Sequence, residues 1–338
     1  MATDRVFSAD DFGNGTKGRW CAGCGDFGLH AALKKALAEI GTAPEHTEII
    51  SGIGCSSRIV YYMNGYCFHT IHGRAIAVAS GAKIAKPEND VWVATGDGDC
   101  LAIGGNHFIH ALRRNIDLNI ILLNNRIYGL TKGQYSPTSK RGFVSKSSPY
   151  GTVEDPFQPG ILTLGAGGTF FARTIGSSMA ETTEMLKAAH RHKGASVVET
   201  LVNCVTFNDG TFEAIYSKEN QARNTIMLRH GEKMVFGENN EKGIVRDGLG
   251  LKVVTIGKDG YTLDDVLTHD AHTANSDIQR KLAGMKLPDF PVALGVIRDV
   301  EAPTYDEAVS TQVEEVKKMK PYHCFAELLK TNNTWEIK

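Results

Sequence analysis

No apolar run in this chain of 338 residues reaches the ~18 that a membrane-spanning helix requires, so no membrane anchor is expected. An excess of either charge is also lacking, with 37 Lys and Arg against 38 Asp and Glu. Phosphate backbones call for a basic surplus, so nucleic acid is not expected as a main partner. Cysteine is sparse: seven residues, at 21, 24, 55, 67, 100, 204 and 324, are too few and too scattered to staple a fold. The opening MATDRVFSAD has no apolar segment of the kind an export signal carries. The expected compartment is therefore the reducing cytoplasm, where a disulfide is the weakest use for these thiols. No tract is repetitive or of low complexity.

Glycine is abundant, at 36 residues, and lets backbone approach a ligand closely. The length suits one large domain or two ordinary ones. After WCAGCG, Leu29, Leu33, Leu37 and Ile40 recur at helical spacing, and Gly41 ends the helix. Apolar strands are expected at 48–53, 91–95, 118–123 and 195–202, and helices at GRAIAVASGAKIAK, GGNHFIHALRRN and SMAETTEMLKAAHRHKG. Strands that are apolar throughout, alternating with helices, point to a doubly wound, mostly parallel α/β sheet covered on both faces. Residues 1–210 are expected to form that domain. Residues 131–168 are loop-like, and a loop of that length is usually functional. Residues 211–338 are expected to form a smaller extension, a lid or a subunit contact. It holds a strand in GLKVVTIG and helices in SDIQRKLAGM and TYDEAVSTQVEEVKKMK.

The four strands end in Gly54-Cys55-Ser56, Gly96-Asp97-Gly98-Asp99, Asn124-Asn125 and Asn203-Cys204. Ligands of open α/β sheets bind at the carboxyl ends of the strands, so these turns should share one edge. Asp97 between two glycines, with Asn125 one βαβ unit on, offers oxygen ligands to a hard cation such as Mg²⁺ and bare amides to its phosphates. Taken alone, GDG reads as a turn and NN as a helix cap; together at strand ends they favour the ligand reading. Cys21, Cys24, Cys55 and Cys204 suit Zn²⁺ or a [4Fe–4S] cluster equally well by count. A thioredoxin-like use of the CxxC is less apt, because no strand precedes it. Cys67, Cys100 and Cys324 read as small buried hydrophobes. His69 and His72 are as apt to be structural as functional, and Arg58 and Lys132 are cations near the same edge.

The stretches WCAGCG, SGIGCSSR, HTIHGRA, GDGDCLAIGGNHFIHALRRN and NNRIYGLTKGQYSPTS together resemble the β subunit of 2-oxoacid:ferredoxin oxidoreductases, of the 2-oxoglutarate type, over residues 15–210. The resemblance implies a thiamine-diphosphate-binding fold. It implies a [4Fe–4S] cluster on Cys21, Cys24, Cys55 and Cys204, and Mg²⁺ on Asp97, Asn125 and the carbonyl of Ile127. It implies that Ile53, Gly54, Cys55, Ser56, Gly98, Asp99, Gly129 and Leu130 line the diphosphate. His72 would lie near the cofactor and Arg58 and Lys132 near the substrate, these three being the candidate catalytic residues. Position 58 is often lysine in this family, and arginine keeps the charge with a different geometry. The partners implied are an α subunit in an α2β2 assembly, ferredoxin, coenzyme A and a 2-oxoacid. The carboxylate that activates the cofactor belongs to the α subunit in this family, so the chain is expected to be inactive alone. Alternatives are a pyruvate or branched-chain 2-oxoacid enzyme, a non-redox lyase with structural zinc, and a bare electron-transfer subunit.

Overall fold

The computed structural model describes residues 6–319, 322, 324–330, 335 and 337. Residues 1–5 of the opening stretch and Lys320 of the expected charged helix lie outside them. Eleven strands and ten α-helices occur among the described residues. Six strands build the expected parallel array: β1 (Thr47–Ser51), β2 (Tyr66–His69), β3 (Asp90–Gly96), β4 (Leu118–Asn124), β5 (Phe170–Ile175) and β6 (Ala195–Leu201), in the order β2-β1-β3-β4-β6-β5. All their pairings are parallel. β1, β3, β4 and β6 are consecutive neighbours, so the four turns singled out in the sequence stand side by side on one edge. The strand order reverses between β1 and β3, where a doubly wound sheet opens its binding crevice.

Alternate strand residues feed two cores. Ile50, Val91, Val93, Ile120, Leu122, Phe171 and Val197 face one layer. Ile49, Trp92, Ala94, Ile121, Leu123, Phe170 and Val198 face the other. Helices α1 (Asp26–Ile40) and α5 (Met179–Arg191) cover the second. Helices α2 (Ala75–Ala85), α3 (Gly105–Arg114) and α4 (Pro159–Gly165) cover the first. Burial on both faces is why the strands carry no polar alternation. α1 stops where Gly41 takes φ +85°, a conformation glycine adopts without steric cost.

The sheet continues past residue 210. β11 (Val292–Asp299) pairs antiparallel with β5, and β7 (Thr225–Leu228) pairs parallel with β11, which completes eight strands. Between them, α6 (Glu213–Tyr216) and α7 (Lys218–Asn224) precede β7. β8 (Val235–Phe236), β9 (Lys242–Asp247) and β10 (Gly250–Thr255) form a small antiparallel sheet followed by α8 (Asp277–Ala283). Ile244, Val245 and Val254 join the first core. α9 (Tyr305–Met319) is almost wholly exposed, tied back by the Asp306 carboxylate, which accepts from the Asp117 amide at 3.1 Å; α10 (Phe325–Leu329) follows.

Strand β5 is absent from the sequence expectation for a physical reason. Its run FFARTI is broken by Arg173, which is buried and pairs with Glu199 of β6 at 2.7 Å. Each interior charge is matched by the other, so the strand stays buried despite them.

Candidate active site

The CxxC segment is a tight turn, with the Cys24 amide donating to the Cys21 carbonyl at 3.0 Å, that opens directly into α1. The Trp20 indole N–H donates to the Cys55 carbonyl at 2.8 Å, and its ring packs edge-on against Tyr62 and Phe27. That contact pins the CxxC turn to the end of β1. The Tyr62 hydroxyl also accepts from Arg58 Nε at 3.2 Å, which tethers that cation beside the turn. The result is a cavity of about 200 Å³ lined by Cys21, Cys24, Cys55, Cys204, Arg58, Asn125, Gly129, Leu130 and Lys132. A side chain at Gly129 would begin 3.5 and 3.6 Å from the Cys55 and Cys204 sulfurs, so bare backbone faces both thiols.

All seven cysteines are free. Burial, then the Asp26 charge, holds the Cys24 thiol far above its ordinary range; the same causes push Cys55 up to about 12. Asp26 itself is buried, its Oδ2 has no hydrogen-bond partner, and burial pushes its carboxyl up to about 7. Raised in this way, the Cys24 and Cys55 thiols are neutral, and a thiol binds metal only by releasing its proton. Among the described residues, no three His, Cys, Asp or Glu side chains are gathered tightly enough to hold a metal ion. The four cysteines ring a cavity instead. Of the remaining cysteines, Cys100 is buried in the core as expected, but Cys324 is exposed on the C-terminal tail, not a buried hydrophobe.

Beside this cavity lies the β1–β3 crevice. Asp97 is 2 % exposed, and both Ser136 Oγ and Thr138 Oγ1 donate to its Oδ2 at 2.5 Å. Burial raises its pKa, and the Ser136 and Thr138 hydroxyls, then the amides of Gly98 and of Asp97 itself, counter this in part. Among the described residues no Lys, Arg or His pairs with it. Arg126 is the nearby positive charge that feels it, and a buried carboxylate with no cation in direct contact fits a site for a divalent cation. Asn125 Oδ1 accepts from the Ile127 amide at 3.1 Å, which brings Asn125 and Ile127 into one turn and leaves the oxygen a second lone pair.

Asp99 has a different task. Its Oδ1 accepts from the amides of Ile53 at 3.0 Å and Gly73 at 2.7 Å, and its Oδ2 from Thr95 Oγ1 at 2.6 Å. His72 Nδ1 lies 2.8 Å from Oδ1, in ion-pair range but off the line of a hydrogen bond. The carboxylate therefore clamps the β1 turn and the His72 loop onto β3, and what Asp99 can still offer a ligand is backbone. It opens a π-helical turn, Asp99–Ile103, ahead of α3, a distortion frequent at functional sites. The space for a side chain at Gly98 is filled by the Tyr128 ring, whose hydroxyl donates to the Gly98 carbonyl at 2.8 Å. His69 bonds Ser51 Oγ at 2.8 Å and is structural.

The structure thus gathers the four cysteines, Arg58, Lys132, Asn125, Gly129 and Leu130 at one cavity. Ile53, Gly54, Ser56, His72, Asp97, Gly98, Asp99 and Ile127 occupy the adjoining turns. Sequence reasoning missed Asp26, Tyr128, Ser136 and Thr138. The last two follow the NN motif within the long loop, and two hydroxyl residues flanking a proline were the signal available.

A parallel sheet with a GDG carboxylate at its switch point and an NN turn at the end of the next strand defines a thiamine-diphosphate-binding domain. Residues 52–200 match the family described as thiamine pyrophosphate enzyme, C-terminal TPP binding domain. The chain is 45 % identical over 340 residues to 2-oxoglutarate oxidoreductase subunit KorB of Mycobacterium tuberculosis, spanning 99 % of this chain and 90 % of that protein. It is 48 % identical over 190 residues to 2-oxoacid:ferredoxin oxidoreductase 1, subunit beta, of Aeropyrum pernix, spanning 56 % and 60 %. A solved structure, 2-oxoglutarate:ferredoxin oxidoreductase from Magnetococcus marinus with 2-oxoglutarate, coenzyme A and succinyl-CoA bound, superposes with a TM-score of 0.77 at 30 % identity, over 96 % of each chain. This chain belongs to the family of 2-oxoacid:ferredoxin oxidoreductase β subunits.

Proposed function

We propose that the chain serves, with an α subunit in an α2β2 assembly of the cytoplasm, to convert 2-oxoglutarate, coenzyme A and two oxidised ferredoxins into succinyl-CoA, CO₂, two reduced ferredoxins and a proton. The observation that carries this reading is the placement of four free cysteines and two cations on one cavity next to the buried Asp97. Bound thiamine diphosphate supplies an electron sink for the loss of CO₂ from a 2-oxoacid. In this reading Asp97, Asn125 and the Ile127 carbonyl hold Mg²⁺ against the diphosphate. The glycine-rich turns at 53–56 and 98–99 and Gly129 with Leu130 present backbone to it, and His72 lies beside the cofactor on its Asp99 clamp. Arg58, steadied by Tyr62, and Lys132 offer positive charge to a substrate carboxylate. The four cysteines hold a [4Fe–4S] cluster, and Trp20 fixes the CxxC turn over it. A single zinc ion is less suited to this arrangement, because its ligands must close to ~2.3 Å from one point. The 2-oxoglutarate preference is supported by the names of the relatives spanning most of the chain and of the solved structure.

Anaerobic cofactor analysis of the αβ complex tests the proposal. About four irons and one thiamine diphosphate per β chain are expected, with an EPR signal that appears on adding 2-oxoglutarate and not pyruvate. The chain without its α subunit should oxidise neither. Zinc in place of iron, or turnover by the isolated chain, would overturn it.

A further inference from the structure

A second cavity, of about 310 Å³, lies where the 137–159 loop, α6 and the β5, β6 and β11 strands meet. It shares Asn124 and Thr138 with the Asp97 network but contains none of the cysteines. Four cations line it, Arg126, Lys140, Arg173 and Lys286, against one carboxylate, Glu199. Arg173 answers Glu199 and gives its other N–H groups to the Ala293 and Ala283 carbonyls at 3.2 and 3.0 Å. The Asn124 amide donates to Glu199 Oε1 at 2.8 Å. That group is closed on itself.

Arg126 is not satisfied in this way. Its guanidinium is largely withdrawn from water and stacks 4.4 Å over the Phe212 ring. Among the described residues its one side-chain hydrogen bond is to the Thr211 carbonyl at 3.5 Å, the limit of the range. A guanidinium has five N–H donors, so most of this fork has no protein acceptor. Burial, with the like charge of Arg173, outweighs the nearby Glu199 and Asp97 charges and pushes its pKa down, and neither carboxylate pairs directly with the fork. Its backbone is left-handed, at φ +57°, a conformation that costs free energy in a non-glycine residue and clusters at ligand sites. Lys140 and Lys286 are exposed at the same cavity, with no carboxylate in ion-pair range among the described residues. Phe157, Ile215 and Leu287 supply apolar wall.

We propose that this cavity binds a small organic oxyanion, a carboxylate or phosphate ester with a short carbon body, with Arg126 as its bidentate fork and Lys140 and Lys286 flanking. The stacked guanidinium presents its edge in the geometry that oxyanions accept, and the volume lies at the small-ligand end of known sites. The site is separate from the Arg58 and Lys132 pair and does not depend on the reaction proposed above. Calorimetric titration of the αβ complex, loaded with thiamine diphosphate and Mg²⁺, with glutarate and separately with inorganic phosphate distinguishes the two oxyanions. At least one should bind saturably at a site that Arg126→Gln weakens roughly tenfold or more, as loss of a charge-assisted pair implies. The Lys140→Gln, Lys286→Gln double variant, whose exposed side chains the fold does not need, should weaken it by about threefold. Arg58→Ala should leave it unchanged. Absence of saturable binding by both probes, or binding that responds to Arg58→Ala and not to the lysine double variant, would refute the site.

Discussion

Asp26 offers the sharpest test of the electrostatics around the cysteines. Burial pushes its carboxyl from the 3.8 of an open chain up to about 7 in the folded chain. A raised folded pKa means that folding favours the protonated acid. The group is therefore without penalty below pH 3.8, and its cost grows as pH climbs towards 7 and levels off above it. At 1.36 kcal/mol per pKa unit, the cost is about 2 kcal/mol at pH 5 and about 4 kcal/mol at pH 8. Asp26→Asn removes the charge at nearly constant shape. It adds a pH-independent penalty of about 1–3 kcal/mol for an amide whose hydrogen bonds are left largely unmade beside the Cys24 thiol, so the diagnostic is the slope and not the offset. Between pH 5 and pH 8 the stability of the variant relative to the parent should shift in its favour by roughly 2–3 kcal/mol. Urea unfolding of the metal-free chain under reductant, at four pH values across that window, reads this directly, because the other titrating groups are common to both proteins. A difference that stays flat with pH, or that moves against the variant as pH rises, would refute the assignment of Asp26 as a buried, unpaired acid.

Two further substitutions probe the crevice. Thr138→Val removes a donor from Asp97 and leaves Asn124 Oδ1 with only the long 3.3 Å bond from the Arg126 amide; the expected loss is about 1–3 kcal/mol of stability, with weaker Mg²⁺-dependent thiamine diphosphate binding by fluorescence titration, and unchanged values in both assays would contradict the network. Gly52→Ala would place a Cβ 1.8 Å from Asp99 Oδ2. Because that carboxylate clamps three segments, the variant should lose cofactor binding and melt well below the parent in differential scanning fluorimetry; a parental melting curve would show that Asp99 can move freely.

The grouping of the candidate site residues was legible because they sit at strand ends. Asp97, Asn125, Cys55 and Cys204 each follow an apolar run, and a parallel array carries such turns to one edge whatever the details of the helices. What stayed hidden depends on contacts between distant segments. Ser136 and Thr138 reach Asp97 from a loop with no periodicity to place it. Asp26, directly after a CxxC, reads as an ordinary acid at a helix start, and only packing reveals that it is sealed beside the thiols. Gly98 had an evident purpose, close approach of a phosphate, yet the space beside it is taken by Tyr128. Strand β5 was hidden by Arg173, whose partner Glu199 lies 26 residues further on.

The pairing of β11 with β5 bears on how this chain can be dissected. Composition invites a cut near residue 210, since the recognisable motifs end there. Such a cut would strip β5 of its outer neighbour. A strand of six buried residues, FFARTI, would then expose a row of unpaired backbone donors and acceptors. That is a template for strand addition by another chain, and proteins avoid leaving it open. The poorly legible final third thus covers that edge of the sheet, and a chain truncated near residue 210 is expected to aggregate even though it keeps every candidate cofactor residue.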